Sequence, residues 1–212
     1  MPRTNPPRAN PPRTSAEEHF NAAVVVSAYR SGFFPMAESR SGPISWYSPD
    51  PRAIIPLEGF NVPRSLRREM KRSACTITVD RTFDQVIREC AEGRFPGGTW
   101  ISGDIIRVYT ELHSMGVAHS VETWLEGKLV GGLYGVALGG AFFGESMFSR
   151  IPNGSKFALV SLVGRLNARG YRLLDTQIMN EHMRQFGAVD IPRDRYLLLL
   201  AEALSLGVRF LD

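Results

Sequence analysis

Residues 118–148 constrain the fold more than any other part of this chain. Three strand-like runs, AHSVETWLE, KLVGGLYGVAL and AFFGESMF, follow one another with only Glu126-Gly127 and Gly139-Gly140 as turn residues. Connections that short allow only hairpins, because a parallel return needs a crossover of about a dozen residues or more. The centre of the chain is therefore expected to be an antiparallel meander.

Helical patterns surround it. TFDQVIREC places Phe83, Val86, Ile87 and Cys90 at the spacing of one helix face. Ser102 is placed to cap a second helix with Ile105, Val108, Tyr109 and Leu112 on its inner face, ending at Gly116. SKFALVSLVGRLNARG predicts a helix stopped by Gly170, YRLLDTQI a strand, NEHMRQFG a short helix, and PRDRYLLLLAEAL a last helix begun by Pro192. Upstream, AEEHFNAAVVVSAYRSG suits a helix closing at Gly32. FFPMAESRSGP reads as a loop, and ISWYSPDPRAIIPL as two short strands around a Pro-Asp-Pro turn. VPRSLRREMKRS reads as helix, CTITVD as strand and FPGGTWI as a Gly-rich loop. The class is α+β, a mostly antiparallel sheet flanked by helices. The expected division is a Pro/Arg-rich disordered tail at 1–16, a small N-terminal domain at 17–62 and a main domain at 63–212.

Composition narrows the function classes. With 43% hydrophobic residues in 212, the chain can bury a substantial core. No apolar run approaches the ~20 residues of a membrane span, and residues 1–16 lack an apolar signal region. Cys75 and Cys90 make no disulfide framework, so a cytoplasmic location is expected. The formal charge of +4 includes Arg3, Arg8 and Arg13 of the duplicated NPPR tail; less these three, about +1 remains. A nucleic-acid argument must therefore rest on local clustering.

Two constellations stand out. Phe143, Glu145 and Met147 share a face of one predicted strand, and Leu173, Asp175 and Gln177 a face of another. An unpaired buried carboxylate is expensive. Two carboxylates and an amide on neighbouring strands, beside Trp100 and Phe142, thus read as a polar pocket, against the plainer reading of a self-satisfied buried network. His113 and His119 do not make zinc spacing, and neither HExxH nor CxxC occurs, so no metal is expected. Ser146 lies in no G-x-S-x-G elbow, and His182 reads as a helix-surface or locally bonded residue. The second constellation is RSLRREMKR, with Arg64, Arg67, Arg68, Lys71 and Arg72 against Glu69 alone, either a solvated face or a phosphate-binding helix.

The motifs AYRSGFFP, WYSPDPRAII, GTWIS, HSVETW with LVGGLYGVALG, FFGESMFSR, NGSK, LLDTQIMNEH and FGAVDIPRDRY together resemble the leucyl/phenylalanyl-tRNA–protein transferases, in order from Ala28 to Tyr196. That resemblance implies a small N-terminal domain and a main domain of the GCN5-related acyltransferase type. It implies transfer of Leu or Phe, or Met, from aminoacyl-tRNA to an N-terminal Arg or Lys of a protein, which the N-end rule then sends to degradation. By resemblance, Glu145, Asp175 and Gln177 match catalytic-centre positions, and Trp100 an aromatic on the terminal adenosine. Leu133 and Phe142 match the aminoacyl pocket, Asn180 a polar contact near the adenosine, and Arg64 to Arg72 a tRNA contact. Met36 stands where the family often has a tryptophan.

The chemistry suits these residue types. The donor ester is already activated, and roughly a tenth of an α-amine with pKa about 7.7–8.0 is neutral at pH 7, so full deprotonation is worth only about 1.4 kcal/mol. Positioning can supply several times that. No metal, nucleophile or soluble cofactor is then required. Gln177, oriented by Asp175, is expected to hold the amine, while Glu145 orders the adenosine or the cationic N-terminal side. Two readings compete: an acyl-CoA N-acyltransferase using Arg150–Ser155 (RIPNGS) as a broken pyrophosphate loop, and a non-catalytic tRNA- or peptide-binding module. Transfer of Leu to acidic N-termini is a third possibility within the same chemistry. Neither membrane nor DNA is an expected partner.

Overall fold

The computed structural model describes residues 20–92 and 99–211. The expected tail and the first part of the Gly-rich loop lie outside them. The elements run α1 (Ala22–Arg30), β1 (Phe34–Ala37), β2 (Ile44–Tyr47), β3 (Arg52–Ile55), α2 (Arg64–Arg72), β4 (Thr76–Val79), α3 (Phe83–Ala91) and α4 (Gly103–Ser114). They continue β5 (Ala118–Leu125), β6 (Lys128–Leu138), β7 (Ala141–Ser149), α5 (Gly154–Ala168), β8 (Leu173–Gln177), α6 (Glu181–Arg184), β9 (Val189–Ile191) and α7 (Arg193–Leu204).

The meander forms as expected. β5, β6 and β7 are antiparallel neighbours inside a seven-stranded sheet ordered β4-β5-β6-β7-β8-β3-β9. At the first hairpin Glu126 and Gly127 both take positive φ, 51° and 74°, the backbone of a type I′ turn. Every pairing in the sheet is antiparallel except β7 with β8. Strand residues alternate between two apolar clusters, one on each face. Val136, Phe143 and Leu173 pack with α1, α3, α4 and α7. Leu133, Phe142 and Leu174 pack with α5 and Phe186. The Phe83, Val86, Ile87 and Cys90 stripe of α3 is buried, as is the Ile105, Val108, Tyr109 and Leu112 stripe of α4. Ser102 caps α4 by accepting from the Ile105 N–H at 3.3 Å.

One contact fixes α5 across the sheet. A Cβ on Gly131 would lie 2.4 Å from the carbonyl carbon of Gly154, so β6 and the first turn of α5 meet backbone to backbone. Only glycine permits that approach.

Two expectations are corrected, and one strand was not expected. The first helix starts at Ala22, because extended Asn21 accepts from the Val24 N–H at 3.0 Å and caps it there. FFPMAESRSGP is not all loop: Phe34–Ala37 pairs with Ile44–Tyr47 in a separate two-stranded ribbon. Pro35 costs that ribbon little, since only one edge of β1 is paired. Val189–Ile191 forms an edge strand on β3 that three residues gave no pattern for. β3 itself lies within the segment 17–62, yet it sits between β8 and β9 in the large sheet.

Candidate active site

β7 and β8 pair only over Ala141–Phe143 and Leu173–Asp175. Beyond that the strands diverge, and Gln177 turns away with a left-handed φ of 59°. A cavity of about 520 Å³ occupies the fork. Its apolar wall comes from the α5 side of the sheet, through Leu133, Met147, Leu159, Leu162, Leu174 and Met183. Its polar groups include Glu145, Ser146, Gln177, Asn180 and His182, with Trp100 beside them.

Glu145 sits at a β-bulge. Tyr134 pairs with Ser146 and Gly135 with Gly144, so Glu145 is the extra residue of β7. The bulge resets the alternation. Phe143 packs on the α4 side with Glu145 turned towards Tyr29 and Tyr109, whereas Met147 packs on the α5 side. Met147 therefore does not share a face with Glu145, contrary to a strict two-residue alternation.

The Glu145 carboxylate is held from behind. Tyr29 donates to Oε1 at 2.6 Å, Tyr109 lies 3.3 Å from Oε2, and the two phenol oxygens are 2.5 Å apart. Gln177 Nε2 lies 3.4 Å from Oε1. Removal from water pushes the Glu145 carboxyl up to about 8, against the lowering effect of the Tyr29 and Tyr109 hydrogen bonds. Both tyrosines are pushed well above the ordinary phenol range, first by burial and then by the Glu145 charge.

Asp175 is differently placed. It does not line the cavity; it is fully buried beside it. Arg52 Nε and Nη2 grip its two oxygens at 3.0 and 2.7 Å, and Tyr196 donates to Oδ2 at 2.8 Å. Oδ1 also accepts the backbone N–H of Gln177 at 2.9 Å, which fixes the left-handed turn that presents the Gln177 side chain. The orientation of Gln177 by Asp175 thus runs through the main chain.

The other sequence candidates divide in the same way. Trp100, Leu133 and Asn180 line the cavity with Glu145 and Gln177. Asn180 also caps α6, its Oδ1 accepting from the Met183 N–H at 2.8 Å. Phe142 is fully buried behind the wall, its ring 5.3 Å from that of Phe210. Met36 pairs with Ser45 in the small ribbon and packs against the core. Arg64, Arg67, Arg68, Lys71 and Arg72 all lie on the exposed face of α2, which turns Leu66 inward. Glu69, the lone acid of α2, accepts from Asn153 at 2.9 Å just before α5 begins. Arg150 of the RIPNGS segment is engaged by Glu89 and Glu92.

Sequence reasoning missed Arg52, Tyr29, Tyr109 and Tyr196. Arg52 left a signal, a cation heading an apolar strand; the tyrosines left none, because they resemble any core aromatic on a helix. His182, expected at a helix surface or locally bonded, instead lines the cavity, and its Nε2 has no hydrogen-bond partner among the described residues. Burial and then Lys156 lower its basicity. Among the described residues no group of His, Cys, Asp and Glu is arranged to hold a metal ion, and no helix is long and apolar enough to cross a membrane.

The sequence comparisons agree along the chain. Residues 54–201 match the family described as leucyl/phenylalanyl-tRNA protein transferase, and residues 19–50 match the N-terminal domain of the same family. The leucyl/phenylalanyl-tRNA–protein transferase of Chlorobaculum tepidum is 50% identical over 88% of this chain and 96% of its own. That of Salinibacter ruber is 51% identical over 87% of this chain and 80% of its own. Among solved structures, L-PGS from Bacillus licheniformis aligns with a TM-score of 0.41 at 14% identity, covering 76% of this chain and 52% of that one. With a matching profile over most of its length and relatives at half identity, the chain belongs to the leucyl/phenylalanyl-tRNA–protein transferase family and is an aminoacyltransferase.

Proposed function

We propose that the cavity at the β7–β8 fork receives the aminoacylated 3′ end of Leu-tRNA or Phe-tRNA and the N-terminus of an acceptor protein. The carrying observation is the meeting of an apolar wall with the Glu145–Gln177 pair, 3.4 Å apart, in one cavity. The wall of Leu133, Leu159, Leu162 and Met183 suits an aliphatic or benzyl side chain. Trp100 stacks on the adenine, and Asn180, with its Nδ2 left over from the α6 cap, meets the adenosine.

In the reaction the acceptor α-amine nitrogen bonds to the ester carbonyl carbon. The amine attacks neutral, its ammonium proton having gone to solvent; the bond from that carbon to the ribose oxygen breaks, and the one surplus proton on the bonded nitrogen passes to the freed ribose oxygen. Gln177 holds the amine through its amide oxygen, and Glu145 faces the cationic side of the acceptor. Asp175 acts through the Gln177 backbone rather than by touching substrate. Phe142 supports the aminoacyl wall from behind, and Met36 packs in the ribbon beside the core. The five cations of α2 take tRNA phosphates. Glu145, the carboxyl among the lining residues, selects cationic first residues when ionised, so Arg and Lys are the acceptors, and the modified proteins enter N-end rule degradation in the cytoplasm.

The test mixes labelled Leu-tRNA or Phe-tRNA with peptides beginning Arg, Lys, Asp or Ala. Label on the Arg and Lys peptides is the expected result. Label on Asp would overturn the acceptor assignment, and no transfer with intact tRNA binding would favour a binding module. The acyl-CoA reading is weakened by Arg150, the head of its loop, being occupied by Glu89.

A further inference from the structure

The hydrogen bonds behind Glu145 have a direction that follows from counting donors. Tyr29 has one proton and Tyr109 has one proton. Tyr29 donates to Glu145 Oε1 at 2.6 Å. The Tyr109 proton then has two acceptors to choose from: the Tyr29 oxygen at 2.5 Å or Glu145 Oε2 at 3.3 Å. The shorter contact takes it, giving a chain from Tyr109 to Tyr29 to Oε1. Gln177 Nε2 is also nearer Oε1, at 3.4 Å. Oε2 is consequently the carboxylate oxygen left without a close donor, and Glu145 lines the cavity with Gln177, whereas neither tyrosine does.

From this geometry we infer that Tyr109 and Tyr29 are positioning residues that hold Glu145 by one oxygen and so keep Oε2 free for the cationic side of the acceptor. This rests on the proposed reaction for the identity of that cation, but not for the tyrosine–carboxylate chain itself. Two-residue alternation from Phe143 already turns Glu145 towards α1 and α4, and the bulge then sends Met147 to the opposite face, so the carboxyl stands beside the apolar wall. The tyrosines come from different elements, α1 and α4, so the chain also ties the two helices to the fork.

Several further groups act on Glu145. Tyr134 of β6 is buried close by, its hydroxyl without a partner among the described residues, and burial and then the Glu145 charge push that hydroxyl well above the ordinary phenol range. Asp175 of β8 raises the Glu145 carboxyl, and Arg52 of β3 lowers it. Against that background the Tyr29 bond is the largest influence favouring the ionised form, and the proton that Tyr109 gives Tyr29 strengthens that bond. Losing either should make Glu145 harder to ionise, Tyr29 more so.

The test titrates protein carrying glutamate labelled with ¹³C at the side-chain carboxyl, the Glu145 resonance being the one that disappears in Glu145→Gln. In Tyr29→Phe its midpoint should move to higher pH, with a smaller upward move in Tyr109→Phe. An unchanged or lowered midpoint in Tyr29→Phe would overturn the proposal. This readout needs no turnover, so it stands or falls apart from the transfer reaction. In the transfer assay with an Arg-first peptide, Tyr29→Phe should lower kcat/KM roughly threefold to tenfold at pH 7 and recover by pH 9. A uniform loss across pH would mean that Tyr29 serves packing alone.

Discussion

Arg52 and Asp175 meet through two parallel contacts, 3.0 Å from Nε and 2.7 Å from Nη2, with neither side chain exposed to solvent. β3 supplies the cation and β8 the anion, so the pair locks two adjacent strands next to the cavity. Tyr196 of α7 completes the cluster by donating to the same carboxylate. Removing one partner leaves a buried charge uncompensated, which typically costs about 3–5 kcal/mol. Arg52→Leu should therefore lower the urea midpoint sharply, and the double variant Arg52→Leu, Asp175→Leu should recover a large part of it. A single variant as stable as the double would refute the pairing argument.

Glu145 gives the protein a pH signature in stability. Its carboxyl, pushed up to about 8 by burial, binds a proton in the folded state between the ordinary carboxylate range and about pH 8 that the unfolded chain has already lost. Stability contributed at this site is thus full at low pH and declines as pH rises through that window. Glu145→Gln should remove the decline, gaining on the parent protein above pH 8 by roughly 1–3 kcal/mol. Chemical denaturation at pH 5 and pH 9 checks the sign. A Glu145→Gln protein that loses ground at the higher pH would contradict it.

Two glycines make opposite predictions from the same substitution. Gly131→Ala would place a methyl carbon 2.4 Å from the Gly154 backbone, so β6 or α5 must shift. Overpacking of this kind costs about 1–3 kcal/mol or more. Gly164 lies within α5 with nothing within 4 Å of a built Cβ. Gly164→Ala should stabilise by about 1 kcal/mol from helix propensity. Thermal melts of the two variants should move in opposite directions.

The cations of α2 predict a salt dependence. Arg67→Ala and Lys71→Ala should weaken tRNA binding and each reduce the slope of log K against log salt by about 1 if that residue contacts a phosphate. Neither residue packs in the core, so unfolding midpoints should stay nearly constant. Titration of tRNA at several salt concentrations provides the measurement, and unchanged slopes would remove α2 from the tRNA interface.

Local pattern by itself determined most of the elements. The turn pairs Glu126-Gly127 and Gly139-Gly140 specified the meander, Ser102 specified where α4 starts, and the spacing of Phe83, Val86, Ile87 and Cys90 specified the inner face of α3. These features depend on neighbours within a few residues, so the sequence contains their causes. Glu145 and Gln177 were conspicuous for the same kind of reason, as polar residues within apolar strands.

Tertiary structure alone decided how those residues work. Whether a buried carboxylate touches substrate or braces the backbone depends on what comes to it from distant segments. Arg52 arrives at Asp175 from 123 positions away and takes it out of the cavity. Tyr29 arrives at Glu145 from 116 positions away and holds it at the cavity's edge. The bulge that parts Met147 from the face of Glu145 is a mismatch between two strands, β6 and β7, and no single strand's alternation reveals it. The ribbon of β1 and β2 and the edge strand β9 were hidden for a related reason, since strands of three or four residues are stabilised by partners rather than by their own period.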